Sequence, residues 1–202
     1  MPPSFIEYAS SPNLSEDEIY TIELLIERVR KREHFTPEDW KERDRRSDAR
    51  RLPDYQPSYS IDHVAQAADE LLKLEWLSFQ QVAKTGRAVR DVRALRYTPH
   101  LNGLILDSNK VEDISAIAHC EALRRLSLAR NPVRNLAPLR ACLELRELDV
   151  SDAPIEDFSP LQDLPKLHTL EITSDQLPAL CQIPVLPSIR KLEMGGEAFS
   201  SF

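Results

Sequence analysis

Leu101, Leu123, Leu145, Leu167 and Ile189 stand 22 residues apart, and each opens the same order of apolar positions. The first copy runs Leu101, Leu104, Leu106, Val111, Ile114, Ile117, Cys120, and the second Leu123, Leu126, Leu128, Val133, Leu136, Leu139, Cys142. Third and fourth copies follow from Leu145 and Leu167, and a fifth breaks off after Ile189, Leu192, Met194, Glu197 and Phe199. Two spacings alternate within each copy. The opening L-x-x-L-x-L ends in steps of two, which predicts a short strand with its leucines inward and the residues between them on the opposite, concave face. The V/I-x-x-I/L-x-x-L half steps by three, which predicts a 3₁₀ or short helical return on the convex side. One such unit cannot bury its own apolar side, so neighbouring copies must stack into a continuous core with a cap at each end.

The run Leu123-Arg-Arg-Leu126-Ser-Leu128-Ala-Arg-Asn131-Pro-Val133 carries this pattern with an asparagine at the turn after the strand. On that motif the chain resembles the leucine-rich-repeat family. Repeat length and the trailing half resemble the 22-residue subclass of phosphatase-regulator and internalin-type proteins. The resemblance covers residues 101–202 and implies an α/β solenoid with a short parallel sheet on its concave face. In such a fold the turn asparagine bonds backbone groups of the neighbouring coil. Asn109 and Asn131 keep that position, whereas Ala153, Asp175 and Glu197 replace it, so the later turns are either looser or satisfied in another way.

A weaker copy lies upstream. Leu74-Glu-Trp-Leu77-Ser-Phe79 has the strand spacing and Val89, Val92 and Leu95 the convex spacing, with an insertion around residues 81–86. This gives an irregular first repeat, 74–100, regular repeats at 101–122, 123–144, 145–166 and 167–188, and a partial repeat at 189–202. The last lacks an evident polar cap after Phe199 and Phe202, leaving three possibilities: a folded-back lid, pairing with another chain, or continuation of the natural protein. Arg87, Arg90, Arg93 and Arg96 follow the same three-residue step and read as a solvated convex face.

Residues 1–73 form a helical N-terminal region. Ser15 and Glu18 make a capping box ahead of Ile19, Ile22, Leu25, Ile26 and Val29, predicting a helix over 16–33. Thr36, Pro37, Glu38 and Asp39 start a second, highly charged helix running to Arg51, with Trp40 as its anchor for a partner. A third, over 62–73, presents Val64, Ala67, Ala68, Leu71 and Leu72 toward the first repeat as its cap.

Composition narrows the chemistry. The 202 residues carry a formal net charge of −7, which does not favour nucleic acid as a general ligand. Ten basic residues gather in 28–51, but six acidic ones are mixed among them. No run approaches the length of a membrane span and the first residues lack a signal-peptide pattern, so the expected location is cytoplasmic. Cys120, Cys142 and Cys181 read as buried structural thiols. Arginine outnumbers lysine 19 to 7, a composition pointing to a bacterial source. His34, His63, His100, His119 and His168 form no metal-binding motif, and the four glycines build no phosphate loop. No cofactor, metal, small-molecule substrate or catalytic constellation is expected.

The concave columns hold what remains. Ile105, Ser127, Asp149, Glu171 and Glu193 lie between the second and third strand leucines, and Gly103, Arg125, Glu147, Thr169 and Lys191 lie just before the second. Arg125, Glu147, Asp149, Asp152, Glu171 and Glu193 therefore compose a candidate partner-binding surface, acidic toward the C-terminal end. The expectation is a non-enzymatic module that binds a protein with a basic surface, in its narrower form an inhibitor or immunity protein. The alternative is the substrate-recognition part or regulatory subunit of an enzyme whose chemistry lies on another chain. Gln176-Leu-Pro-Ala-Leu180 resembles, locally, the proline-bearing repeats of bacterial ubiquitin ligases.

Overall fold

The computed structural model describes residues 3–31, 61–79, 87–184, 186, 188–194 and 197–199. Helices α1 (Phe5–Ala9), α2 (Glu16–Lys31) and α3 (Ile61–Leu71) precede the strands β1 (Trp76–Ser78), β2 (Gly103–Ile105), β3 (Arg125–Ser127), β4 (Glu147–Asp149), β5 (Thr169–Ile172), β6 (Lys191–Met194) and β7 (Glu197–Phe199). The strands form one sheet in sequence order. β1 to β6 pair in parallel, and the register Gly103, Arg125, Glu147, Thr169, Lys191 places equivalent repeat positions side by side. β7 turns back and pairs antiparallel with β6, Leu192 opposite Phe199. The chain thus reverses at this edge of the sheet.

β1 to β4 each return through a 3₁₀ turn, at Arg93–Tyr97, Ser115–His119, Ala137–Ala141 and Ser159–Asp163, as the three-residue spacing predicts. After β5 the pattern changes to a 3₁₀ turn, Ser174–Gln176, followed by a single α-turn, Leu177–Leu180. Between strands and returns lies the core. Leu101, Leu104, Leu106, Leu123, Leu126, Leu128, Leu145, Leu167 and Leu170 are wholly buried, together with Phe79 and Phe158. Each such leucine contributes roughly 1.5–3 kcal/mol by leaving water.

Polar groups inside the coil are satisfied repeat by repeat. Asn109 Oδ1 accepts from the Val89 N–H at 2.9 Å, and its Nδ2 donates to the Leu106 carbonyl at 2.8 Å. Asn131 repeats this one coil later: Oδ1 accepts from Val111 N–H at 3.0 Å, and Nδ2 donates to the carbonyls of Leu106, Leu128 and Ala129. Where the asparagine is missing, Gln176 takes over from one residue further along. Its Nε2 donates to the Val150 and Ala153 carbonyls at 2.9 and 2.6 Å, and its Oε1 accepts from Thr173 N–H at 2.7 Å. Glutamine's extra methylene spans the added distance, so this turn is satisfied rather than loose. The thiols work similarly: Cys120 donates to the Leu95 carbonyl at 3.6 Å and Cys142 to that of Ile117 at 3.5 Å. Burial pushes these thiols up, Cys120 to about 11 and Cys142 to about 12. Cys181, expected to be buried, is exposed, because the chain leaves the 3₁₀ pattern just before it.

The N-terminal helices dock on the first repeat. The capping box at Ser15 forms, with Glu18 N–H 3.2 Å from Ser15 Oγ and Ser15 N–H 2.9 Å from Glu18 Oε2. A second box, Ser4 with Glu7, starts α1, a helix the apolar spacing does not predict. α2 is buried over much of its circumference, with Tyr20, Ile22, Leu24, Leu25 and Ile26 all inside. It packs on α3 and on the 3₁₀ turn Arg93–Tyr97, while α3 packs on α1 and α2. The helix in direct register with the first return is therefore α2. Thr21 Oγ1 donates to the Asp91 carbonyl at 2.5 Å, and Arg87 donates to the Glu16 carbonyl at 3.0 Å while stacking on Tyr20 at 4.2 Å.

Arg93 bridges Asp91 and Glu18 at 2.6 and 2.9 Å. Burial alone would raise the Glu18 carboxyl, but hydrogen bonds from Ser15 and Tyr8, with the Arg93 charge, hold it below its ordinary range. Arg87 and Arg93 thus fasten helix to repeat, while Arg87 and Arg90 remain solvent-exposed as expected of the convex face. Leu72, expected to face the repeat, is 49% exposed, because α3 ends at Leu71 and the chain turns outward. The charged helix expected over residues 36–51, with Trp40, lies outside the described residues, as does the 81–86 insertion.

Candidate functional site

The sheet face opposite the core leucines is composed column by column from the register. Its first column runs Trp76, Gly103, Arg125, Glu147, Thr169, Lys191. A Cβ built on Gly103 would come within 2.1 Å of two carbons of the Trp76 indole. The absence of a side chain at 103 is therefore what lets the half-buried indole lie flat on β2. On the next strand the Arg125 guanidinium approaches the same ring, 5.7 Å from its centroid, and its Nε lies 3.1 Å from Glu147 Oε1. A row of indole, guanidinium and carboxylate results. Tryptophan and arginine in such a setting are the side chains that most often anchor protein interfaces. Sequence reasoning used Trp76 only as part of a strand spacing; the available signal was its place at the head of the column whose next member is glycine.

The second column runs Ser78, Ile105, Ser127, Asp149, Glu171, Glu193. Its middle is closed to solvent. Ile105 and Ser127 are wholly buried and Asp149 is 4% exposed. Ser127 Oγ lies against Asp107 Oδ1 on one side and 3.2 Å from Asp149 Oδ2 on the other. The other Asp149 oxygen accepts from Ser151 N–H at 3.0 Å. Asp149 thus belongs to an internal polar bridge across three repeats and offers little surface to a partner. Glu171 and Glu193 are the accessible acids of the column, adjacent in register, with Lys191 paired to Glu193. Like charges directly opposite on neighbouring strands are mildly destabilising, and Lys191 offsets part of that cost.

Asp152 sits beyond the strand ends, exposed, with φ of 57°, the third of a series with Ser108 at 58° and Arg130 at 56°. These three left-handed positions turn the chain sharply after β2, β3 and β4. Ser108 N–H then reaches the Ala129 carbonyl and Arg130 N–H that of Ser151, both at 2.8 Å. Of the sequence-predicted residues, Arg125, Glu147, Glu171 and Glu193 share one face, Asp152 lies on its rim, Asp149 lies beneath it and Trp40 lies outside the described residues. Among the described residues no group of three His, Cys, Asp or Glu side chains is placed to hold a metal ion. No described helix is long and apolar enough to cross a membrane.

Parallel strands in sequence order, 3₁₀ returns, a leucine core and an asparagine-type turn ladder together define a leucine-rich-repeat solenoid. Internalin C2 of Listeria monocytogenes is similar, with a TM-score of 0.51 and 24% identity over 63% of this chain and 54% of that one. Internalin InlF of the same species matches with a TM-score of 0.44 and 19% identity over 96% of this chain and 59% of that one. A leucine-rich-repeat protein of Leptospira interrogans matches with a TM-score of 0.44 and 20% identity over 53% and 28%. Likeness at this level speaks to the fold alone. The match spans about half the length of internalin C2. No protein-family model matches the sequence, and no curated protein does.

Proposed function

We propose that this chain is a non-enzymatic protein-interaction module whose concave sheet face binds a partner protein carrying a basic surface. The observation that carries the reading is the row Trp76, Arg125 and Glu147 beside the adjacent acids Glu171 and Glu193, all on one open sheet face. The aromatic and guanidinium groups supply the anchor, and the acids select for positive charge. A repeat solenoid suits this task because its strands set side chains at fixed intervals of about 4.8 Å. The narrower form is an inhibitor of immunity type that masks a basic active site in a bacterial cytoplasm. A net charge of −7 over these 202 residues and the buried free thiols Cys120 and Cys142 support it.

Affinity purification from the source organism, comparing the natural chain with Glu171→Lys/Glu193→Lys, tests the reading. A partner recovered by the natural chain should fall by about tenfold with the variant. Equal recovery would remove the acidic face from the interface.

A further inference from the structure

The second residue of each repeat forms another column at the edge of the concave face, which begins with Glu75 and Asn102 and then turns basic: Arg124, Arg146, His168 and Arg190. Its rungs are joined directly. Arg146 N–H donates to the Arg124 carbonyl at 2.8 Å, His168 N–H to that of Arg146 at 2.9 Å, and Arg190 N–H to that of His168 at 2.9 Å. Neighbouring side chains therefore leave the backbone about 4.8 Å apart. Arg124, Arg146 and Arg190 are exposed, and among the described residues they make no side-chain hydrogen bond or ion pair. Between them opens a cleft of about 550 Å³ lined by Arg146, Pro165, Lys166, His168, Ser188 and Arg190.

The cleft lining holds no carboxylate. Glu144, on the same flank, bonds Lys166 and also feels Arg124 and Arg146, which hold its carboxyl below the ordinary range. The Ser188 hydroxyl is committed to the Leu164 carbonyl at 2.9 Å. Stacking cations in register costs stability by mutual repulsion, and here it happens on a chain whose net charge is −7. Elsewhere on the solenoid the inter-repeat arginines are paired, Arg134 with Glu156 and Arg140 with Asp163. The edge column is unlike them.

We propose that this edge is a second binding surface, which takes an acidic segment of a protein partner laid across the strands against Arg124, Arg146, His168 and Arg190. A row of guanidinium groups matches successive carboxylates, each accepting two parallel hydrogen bonds. A single phosphate would engage only part of the row. Nucleic acid fits less well, because the cleft lining holds no Phe, Tyr or Trp on which successive bases would stack. The edge column adjoins the acidic face but shares no residue with it, so each is tested by its own substitutions.

The test is fluorescence anisotropy of a labelled poly-glutamate peptide in low-salt buffer, with the full chain. Arg146→Glu/Arg190→Glu should weaken binding by about tenfold and Arg146→Gln/Arg190→Gln by less, while Arg134→Glu on the convex side leaves it unchanged. Far-ultraviolet circular dichroism establishes that the variants are folded. Three results would overturn the proposal: no binding of the peptide to the natural chain, equal binding by the Arg146/Arg190 variants, or tighter binding of an oligothymidylate of matched charge through the same arginines.

Discussion

Replacing Asn131 by alanine probes what joins one coil to the next. Asn131 is 2% exposed, and its amide holds four backbone groups from two repeats. The Val111 N–H is the most vulnerable of these, because Asn131 Oδ1 is its acceptor and Val111 is wholly buried. A buried donor left without a partner costs about 1–3 kcal/mol, and the bonds lost at the Leu106, Leu128 and Ala129 carbonyls add roughly another 1 kcal/mol. The total is about 2–4 kcal/mol. For a chain of this size that corresponds to a fall in melting temperature of about 4–16 °C. Urea denaturation followed by circular dichroism measures it. Asn135→Ala is the control, since Asn135 Oδ1 accepts only the exposed Ala137 N–H at 2.9 Å and should cost below about 1 kcal/mol. If Asn131→Ala proved no more costly than Asn135→Ala, the turn ladder would not be holding the coils together.

Gly103→Ala should destabilise by about 1–3 kcal/mol because the new methyl meets the Trp76 indole, and most of that cost should vanish in a Trp76→Ala background. A strand glycine free of such contact would gain from the same change, so the sign alone decides, read by urea denaturation of the four proteins. Ellman's reagent at mildly alkaline pH should modify Cys181 quickly and leave Cys120 and Cys142 untouched until the chain unfolds. The folded chain keeps the Cys120 proton up to about pH 11 and the Cys142 proton up to about pH 12, whereas an unfolded thiol releases it near pH 8.5. Stability is thus fully present below about pH 8.5 and falls as pH rises toward those values, by up to about 1.4 kcal/mol per pH unit for each thiol. Cys120→Ala/Cys142→Ala should flatten that slope, and an unchanged slope would sink the assignment.

The repeat register was legible because every core leucine answers to the same spacing, and the α2 start was legible because Ser15 and Glu18 form a local box. Features that depend on two repeats at once were not. Asp149 looks solvated in a column of alternating positions, but Ser127 and Asp107, 22 and 42 residues earlier, enclose it once the coils stack. Gln176 replaces the turn asparagine one position late, a substitution that makes sense only when the Val150 and Ala153 carbonyls are seen above it. The role of Arg87 and Arg93 needed the position of α2, which sequence spacing does not supply. The edge column Arg124, Arg146, His168, Arg190 was available in the sequence. It holds one fixed place in four successive repeats, on the residue just after the opening leucine or isoleucine.

Capture of a partner by paired variants tests the concave-face assignment most directly. Glu171→Lys/Glu193→Lys reverses two charges on the sheet face, and Glu112→Lys/Glu156→Lys reverses two on the exposed convex turns, so both change net charge equally. Quantitative mass spectrometry of material retained from source cells should show the partner kept by the convex variant and reduced about tenfold by the concave one. Loss with the convex variant and retention with the concave one would place the interface on the other side of the solenoid.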